Sequence, residues 1–471
     1  MFNIKQKDLT KIAAIEDCGS SITYGELLEF SEKIENLIPS RSLVAVLCKN
    51  SIGAMAGYLA FLENKIVPLM LSAKLDFDLY MYLIETYHPA YVWAPSDIQD
   101  KVVGFAKIYE AYGYILYKTN YEMHPLFPEL ALLLTTSGST GSPKLVRQSY
   151  KNILANTESI VEYLHLNDTE RPITTLPMNY TYGLSIINSH IYAGARLLLT
   201  EKTLMQKEFW EFFKQQEATS FGGVPYTYEI LAKLRFFRMD LPSLRYMTQA
   251  GGKLIPELHR KFAEYAKETN REFVVMYGQT EATARMAYLP PENSLEKYGS
   301  MGIAIPGGKF DLIDTEGEVI SESDVIGELV YSGDNVTLGY AESGKDLIKG
   351  DERSGVLVTG DMAKRDADGY YYIVGRKKRF LKIFGNRVNL DETERLIREN
   401  FPGQDCACGG VDDKMRIYVI EEKVECREEI RKFVSLKTGL NSSAFEICQV
   451  PEIPKNESGK VLYTKLEELY G

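Results

Sequence analysis

The sequence predicts an α/β protein with a large N-terminal domain of layered sheets and helices, a small β subdomain within it, and a small α+β domain at the C-terminus. Three observations predict this: short apolar runs alternate with amphipathic stretches, Tyr-rich and Val-rich segments follow residue 309, and a cationic segment, GRKKRFLKIFG, covers residues 375–385. At 471 residues the chain is also longer than a domain with a single hydrophobic core usually is. We expect an N-terminal domain at 1–375, with the β subdomain at about 309–375, and a C-terminal domain at 376–471.

The alternation is typical of strands and helices packed in layers. Stretches of helical length stand between short apolar runs that are bounded by turn residues. Near the N-terminus these segments are 24–37, 42–47, 52–62 and 65–70. Farther along, the runs that fit buried parallel strands are 171–176, 194–199 and 272–276.

Charge and composition exclude several classes of function. The chain has 54 basic and 65 acidic side chains, a formal charge of −11, so long-range attraction to nucleic acid or anionic lipid is not expected. The opening MFNIKQKDLTK is too polar for a signal peptide, and we expect a cytoplasmic protein without membrane insertion. No particular oligomeric state is predicted. Six cysteines are too few for a disulfide scaffold, although Cys406 and Cys408 leave a redox or zinc protein as an alternative.

Residues 132–144, LLLTTSGSTGSPK, carry the first chemical signal. An apolar strand runs into a loop whose glycines let backbone N–H groups turn toward an anion, while hydroxyls add donors and a lysine adds charge. The residues predicted to wrap a polyphosphate are Thr136, Ser137, Gly138, Ser139, Thr140, Gly141 and Lys144. A Walker P-loop fails on spacing, because Pro143 precedes the lysine and Leu145 follows it.

Further segments follow this loop in the chain. They are QAGGK at 249–253, YGQTEA at 277–282, VTGD at 358–361, GRKKR at 375–379 and PKNESGK at 454–460. Together and in this order, they resemble the signatures of the adenylate-forming superfamily, which includes acyl-CoA synthetases, the adenylation domains of peptide synthetases and beetle luciferases. The resemblance covers the chain from about Ile22 to Tyr463 and is greatest to bacterial acyl-CoA or acyl-carrier-protein ligases.

The resemblance implies a site for ATP and Mg²⁺. The Thr280 hydroxyl would meet the α-phosphate, Glu281 would bind the metal ion, and Asp361 would accept hydrogen bonds from both ribose hydroxyls. Lys460 would contact the α-phosphate and the carboxylate of the acid, which makes it catalytic together with Thr280 and Lys382. The remaining nucleotide contacts would be Gly251, Gly252, Tyr277, Gly278, Gln279 and Arg376.

The same resemblance implies a reaction in two steps. A carboxylic acid and ATP give an acyl-adenylate and pyrophosphate, and a thiol then takes the acyl group and releases AMP. Between the steps the C-terminal domain would rotate about Lys378, withdrawing Lys460 and bringing Lys382 and Gly385 to a thiol tunnel. The acceptor is open between coenzyme A and the phosphopantetheine arm of an acyl carrier protein. Outside this context Lys378 would be a solvated charge.

The acyl pocket implied by the resemblance is lined by Tyr180, Phe221, Gly222, Gly223, Ala250, Ala284 and Arg285. Tyr180 stands where the family often has histidine, and Tyr463 where many members have arginine. Arg285 would pair with a polar or anionic group on the acid, or else form an outward salt bridge. The aspartate that holds the α-ammonium in amino-acid-activating members has no counterpart between Pro177 and Ser185, which disfavours an amino acid.

The sequence therefore predicts an acid–thiol ligase that activates a small carboxylic acid. Alternatives that share the motifs are an amino-acid adenylating ligase for a carrier protein, an acyl-AMP ligase without thiol transfer, and an oxidative light-emitting enzyme. A nucleotide sensor without catalysis is disfavoured, because it would not need Glu281 and Lys460 together.

Overall fold

The computed structural model describes residues 1–98, 100–135, 144–377, 379–384, 386–401, 403–421, 423–455 and 461–471. No helix within these ranges is both long enough and apolar enough to cross a membrane. Polar caps start several of the helices: Thr23 Oγ1 accepts from the N–H of Glu26 at 3.1 Å, and the Glu26 carboxylate accepts from the N–H of Thr23 at 2.7 Å. The α-helices are α1 (Tyr24–Leu37), α2 (Ile52–Glu63), α3 (Phe77–Tyr87), α4 (Tyr150–Tyr163), α5 (Thr181–Ala193), α6 (Lys207–Gln215), α7 (Pro225–Lys233), α8 (Pro256–Glu268), α9 (Leu390–Asn400), α10 (Val424–Thr438) and α11 (Tyr463–Tyr470).

Most strands are short, and the two large sheets that they form are parallel at their centres. They are β1 (Ile12–Glu16), β2 (Ser21–Thr23), β3 (Leu43–Cys48), β4 (Val67–Ser72), β5 (Tyr91–Pro95), β6 (Ala106–Ala111), β7 (Tyr114–Lys118), β8 (Leu130–Thr135), β9 (Leu145–Ser149), β10 (Pro172–Ile173), β11 (Leu197–Leu199), β12 (Ser220–Gly223), β13 (Tyr246–Gln249), β14 (Glu272–Tyr277), β15 (Ala287–Tyr288), β16 (Ile303–Ala304), β17 (Gly308–Ile313), β18 (Gly327–Gly333), β19 (Gly339–Ala341), β20 (Val356–Arg365), β21 (Tyr371–Arg376), β22 (Phe380–Ile383), β23 (Asn386–Asn389), β24 (Cys406–Val411), β25 (Lys414–Val419) and β26 (Phe445–Gln449).

Two large sheets build the N-terminal part. Among the described residues, one has the order β16-β15-β14-β13-β12-β10-β11-β1-β2 and the other the order β19-β9-β8-β4-β3-β5-β7-β6. Helix α2 is apolar on every side and is buried from Ile52 to Leu62, as expected for a helix enclosed between layers. Because β12, β13 and β14 run parallel, their carboxyl ends lie at one edge, where ligands of open α/β sheets bind.

The expected β subdomain contains an antiparallel sheet of order β17-β18-β20-β21. Strand β19 departs from it, since Gly339–Ala341 pairs with β9 in the eight-stranded sheet, Tyr340 lying opposite Val146. The departure fixes this segment beside β9, which begins directly after Lys144.

The C-terminal part has its own sheet, β24-β25-β26, its own hairpin, β22-β23, and its own apolar core under α9 and α10. Cys406 and Cys408 are unbonded core residues of β24, and burial raises the pKa of the Cys406 thiol to about 12. The predicted α/β class with a small α+β C-terminal part is confirmed, while the boundary at residues 375 and 376 stays a prediction.

Candidate active site

Lys144 and Glu281 meet through Tyr340. The Tyr340 hydroxyl donates to Glu281 Oε1 at 2.6 Å, and the Lys144 ammonium lies 5.7 Å from the centre of the Tyr340 ring while pairing with Glu342 at 2.6 Å. Burial, with the Glu281 charge as a second cause, raises the pKa of Tyr340 to about 12, so the phenol stays a hydrogen-bond donor. Lys144 and the carboxylate of the YGQTEA segment therefore face one region.

A second cation stands beside this ring. The Arg353 guanidinium lies 4.7 Å from the Tyr340 ring centre, and its Nη1 donates to the Glu281 carbonyl at 2.9 Å and to Thr337 Oγ1 at 2.7 Å. Arg147, fully buried on β9, donates to the carbonyls of Tyr340 (3.0 Å) and Leu338 (3.2 Å) and so fixes the segment that carries Tyr340. Two cations beside one ring, with the Glu281 carboxylate bonded to the hydroxyl of that ring, suit a polyphosphate with a metal ion.

The turn that carries Thr280 and Glu281 is tightly built. At Gly278 an added Cβ would lie 1.6 Å from the Ala284 carbonyl oxygen, so no other residue fits. Thr283 has φ 63, a left-handed conformation that costs a β-branched residue energy, and its hydroxyl donates to the Asn335 carbonyl at 2.7 Å. The Asn335 amide in turn donates to the Ala282 carbonyl at 2.9 Å. The surrounding structure thus holds this turn in a strained form.

Asp361 lies next to the same turn. Its Oδ2 accepts from the hydroxyl of Tyr277 and from the Gln279 amide at 2.8 Å, while Arg376 Nε lies 3.4 Å from Oδ1. The carboxylate belongs to a buried residue of β20, and Arg376 is its cross-strand partner on β21. Burial and the neighbouring Asp361 charge raise the pKa of Tyr277 well above its usual range. The structure thus brings Tyr277, Gln279, Asp361 and Arg376 together.

The glycines of the sheet edge leave space that side chains would fill. Gly251 has φ +82, and a Cβ there would lie 2.6 Å from the Tyr180 hydroxyl, while a Cβ on Gly252 would touch Pro225 at 3.0 Å. Burial raises the pKa of Tyr180 to about 12. Tyr180 therefore stands against the QAGGK turn.

The residues of the predicted acyl pocket do not all lie on one face of β12, and their role as a pocket stays a prediction. Gly222 faces α5, because a Cβ there would lie 2.8 Å from Ile186 and 2.9 Å from the Tyr182 hydroxyl. Ala250 and Ala284 are buried, and Gly223 faces α7, where a Cβ would meet Thr227 at 2.7 Å.

Phe221 requires a correction. Side chains of a strand alternate between faces, so Phe221 lies on the opposite face from Gly222, where its ring packs 5.8 Å from that of Phe236. It is a core residue there and does not line a pocket next to Tyr182.

Arg285 requires a second correction, because it forms no outward salt bridge. Its side chain is only 2% exposed, its Nε donates to Ser185 Oγ at 3.1 Å, and its Nη1 donates to the Tyr163 hydroxyl at 3.0 Å. Among the residues that the structure describes, no carboxylate lies within ion-pair distance of it.

The remaining predicted residues lie either in the C-terminal part or outside the described residues. Lys382 is exposed on β22, and its N–H donates to Asp412 at 2.8 Å, so the structure does not join it to Thr280 or Asp361. The predicted residues Thr136, Ser137, Gly138, Ser139, Thr140, Gly141, Lys378, Gly385 and Lys460 lie outside the described residues.

Sequence reasoning missed the residues that connect the predicted ones. Tyr340, Arg353, Arg147 and Asn335 come from segments with no motif, and each acts through contacts with residues distant in sequence. The one available signal was an aromatic residue directly after Gly339 in an apolar run bounded by charges.

Comparison with known proteins finds a matching family model and several similar CoA ligases. A family model described as AMP-binding enzyme matches residues 3–341. The 2-succinylbenzoate–CoA ligase of Geobacillus sp. (strain WCH70) is 25% identical over 443 residues, which cover 91% of this chain and 87% of that protein. The long-chain-fatty-acid–CoA ligase of Bacillus subtilis (strain 168) is 28% identical over 363 residues, 72% of this chain and 62% of that protein.

Solved structures share the fold. o-Succinylbenzoate CoA synthetase from Bacillus subtilis in complex with its acyl-adenylate intermediate gives a TM-score of 0.81 at 21% identity, over 98% of this chain and 96% of that one. The same enzyme in complex with ATP and magnesium ion gives a TM-score of 0.80 at 21% identity, over 98% of both chains.

Proposed function

We propose that the chain, which belongs to the AMP-binding enzyme family, is an acid–thiol ligase that uses ATP to convert a carboxylic acid into an acyl-adenylate and then passes the acyl group to a thiol. The observation that carries the proposal is the convergence of Lys144, Glu281 and Asp361 on one site. The named CoA ligases among its relatives support the same reaction class.

The first step forms a mixed anhydride. An oxygen of the acid's carboxylate attacks the α-phosphorus of ATP, and the bond from that phosphorus to the β-phosphate oxygen breaks to release pyrophosphate. Lys144 and Arg353 supply positive charge for the departing phosphates, and the Thr280 hydroxyl orients the α-phosphate. Asp361 and Arg376 hold the ribose, which explains why a buried carboxylate is kept at this edge.

Mg²⁺ fits the donor set at Glu281. One carboxylate oxygen is oriented by the Tyr340 hydroxyl, which leaves the other to face a hard cation. A bound Mg²⁺ would neutralise charge on the phosphates that leave.

The second step moves the acyl group to sulfur. The thiolate attacks the anhydride carbonyl, the carbonyl–phosphate bond breaks, and AMP leaves. For this step we assign Lys378 as the hinge between domains at 1–375 and 376–471, and Lys382 with Gly385 as the thiol tunnel. The acceptor is coenzyme A, in line with the names of the relatives, or the phosphopantetheine of a carrier protein.

Separate measurement of the half-reactions tests the proposal. In the Lys460→Ala variant, exchange of pyrophosphate into ATP is expected to collapse, while thiolysis of supplied acyl-AMP survives. Lys465→Ala, an exposed lysine of α11, is the matched control and is expected to keep both activities. Equal loss of both half-reactions in Lys460→Ala would contradict this assignment.

A panel of acids and acceptors identifies the acid that is activated and the thiol that accepts the acyl group. Fatty, hydroxy, aryl and amino acids are compared by pyrophosphate release, and a response to amino acids alone would establish the amino-acid adenylating alternative. Mass spectrometry of the acyl thioester formed with coenzyme A or with a carrier protein then identifies the acceptor.

A further inference from the structure

Arg285 is a buried cation whose protein partners are all neutral. Its side chain is 2% exposed and its hydrogen bonds go to Ser185, Tyr163 and the Met276 sulfur. The described part of the chain offers it no carboxylate. A buried charge without a counter-charge is strongly disfavoured, so a site that keeps one is built for an anion that arrives from outside.

The neutral partners are already engaged elsewhere. Ser185 Oγ donates to the Tyr182 carbonyl at 2.7 Å, and the Tyr163 hydroxyl donates to the Met276 sulfur at 3.1 Å. Hydrogen bonds through Nε and Nη1 therefore orient the guanidinium, while none of the described residues accepts from Nη2. An oriented guanidinium with donors to spare is suited to a carboxylate.

Arg285 lies at the wall of the predicted acyl pocket. Its guanidinium is 5.3 Å from the centre of the Tyr182 ring, and the Tyr182 hydroxyl shares a 2.8 Å hydrogen bond with Thr248 Oγ1 beside Gly222. Arg285 also follows Glu281 by only four residues, across the strained Thr283 turn. A group bound by Arg285 is therefore close to the carboxylate that is activated near Thr280.

We propose that the acid activated by this enzyme carries a second carboxylate, which pairs with Arg285 while the first carboxylate attacks ATP. The inference rests on the proposed function and names its substrate class as compact dicarboxylic acids. Tyr180 and Tyr182 fill space on the α5 side, which favours such an acid over a long alkyl chain.

The wild-type enzyme tests this directly. Monoacids and diacids of matched chain length, together with benzoate and its carboxylated isomers, are compared by pyrophosphate exchange. The best diacid is expected to exceed its matched monoacid by at least about 100-fold in kcat/KM, because a site built for a polar group rejects the analogue that lacks it. If monoacids react as well or better, the inference is overturned and the proposed function stands. If no acid supports exchange, both are overturned.

A variant tests whether Arg285 causes the preference for diacids over monoacids. Arg285→Met keeps the buried volume and removes the charge, so the ratio of the diacid kcat/KM to the monoacid kcat/KM is expected to fall towards one. Arg285→Lys is expected to retain part of the preference. The matched control is Arg245→Met. The Arg245 guanidinium likewise lies beside a tyrosine ring, 4.7 Å from the centre of Tyr246, but it already has a carboxylate partner, Glu170, at 2.5 Å. A variant Arg285→Met that loses both acid classes equally, with the ratio unchanged, would show a structural role only.

Discussion

The hydroxyl of Tyr340 donates to the Glu281 carboxylate at 2.6 Å across 59 residues of sequence, and the same ring lies beside the Lys144 ammonium. One aromatic side chain thus connects Glu281, the proposed metal ligand, to Lys144. The hydrogen bond orients a carboxylate that would otherwise be free to rotate, and the ring attracts the two nearby cations, Lys144 and Arg353.

We expect Tyr340→Phe to raise the KM for MgATP about tenfold, because a hydrogen bond to a charged group contributes about 1.5–3 kcal/mol. The ring, and with it the contacts to Lys144 and Arg353, is retained. Steady-state adenylation at varied Mg²⁺ measures the effect, with the half-exposed Tyr82 as the matched control in Tyr82→Phe. An unchanged Mg²⁺ dependence would remove Tyr340 from the metal site.

Gly251→Ala is expected to abolish adenylation, because the new Cβ would sit 2.6 Å from the Tyr180 hydroxyl as well as at φ +82. Gly317→Ala is the matched control, since Gly317 has φ +91 and open space around it. The control is expected to cost about 1 kcal/mol of stability and no activity. The double variant Gly251→Ala with Tyr180→Phe is expected to recover part of the rate, and no recovery would argue against the clash.

Asp361→Asn is expected to raise the KM for ATP at least about tenfold, since the amide cannot accept from Tyr277 and Gln279 and from a ribose in the same way. Asp97→Asn, which removes an exposed ion pair with Lys49, provides the comparison and should leave the KM unaltered. Isothermal titration with ATP separates a binding defect from a slow chemical step.

Glu394→Gln is expected to destabilise the C-terminal part by about 3 kcal/mol, because buried Glu394 balances Arg379 and accepts from the Tyr463 hydroxyl at 3.0 Å. Glu392→Gln on the same helix breaks only a more exposed pair with Arg395 and should cost less than about 1 kcal/mol. Hydrogen exchange of the backbone amides in α9 and β24 measures the loss of stability. Equal protection in both variants would mean that Glu394 contributes no more than a surface charge.

Burial holds the pKa of His190 down to about 3, with Nδ1 against the Ile186 carbonyl and Nε2 against the Tyr246 hydroxyl, both at 2.8 Å. The unfolded chain takes up a proton near pH 6.5 and the folded chain only near pH 3, so between these values the free energy of unfolding falls as the pH falls. Near pH 5 the loss is about 2 kcal/mol.

The melting temperature of His190→Gln should therefore fall less than that of the wild type between pH 7 and about pH 5. His165→Gln, at an exposed position, is expected to follow the wild-type slope. Parallel curves for all three proteins would show that His190 does not set the acid sensitivity.

The sequence predicted the layered class, the order of strands and helices near the N-terminus, and the residues that carry local signatures. Asp361 and Glu281 could be found because their neighbours in sequence form the turns that hold them. Tyr340 could not, because its role depends on a strand pairing that brings Gly339–Ala341 to β9. Phe221 was misassigned for a related reason: a motif match identifies the strand, while the alternation of faces decides which side chains reach the pocket.

The pairing of β19 with β9 has a consequence for which changes of length the chain tolerates. Side chains of a strand alternate between faces, so one residue inserted or deleted between Val336 and Gly339 would rotate Tyr340 away from Glu281 and present a glycine or an alanine instead. The number of residues in that short connection is thus as constrained as any side chain in the site. Homologous sequences should therefore almost never differ there in the number of residues.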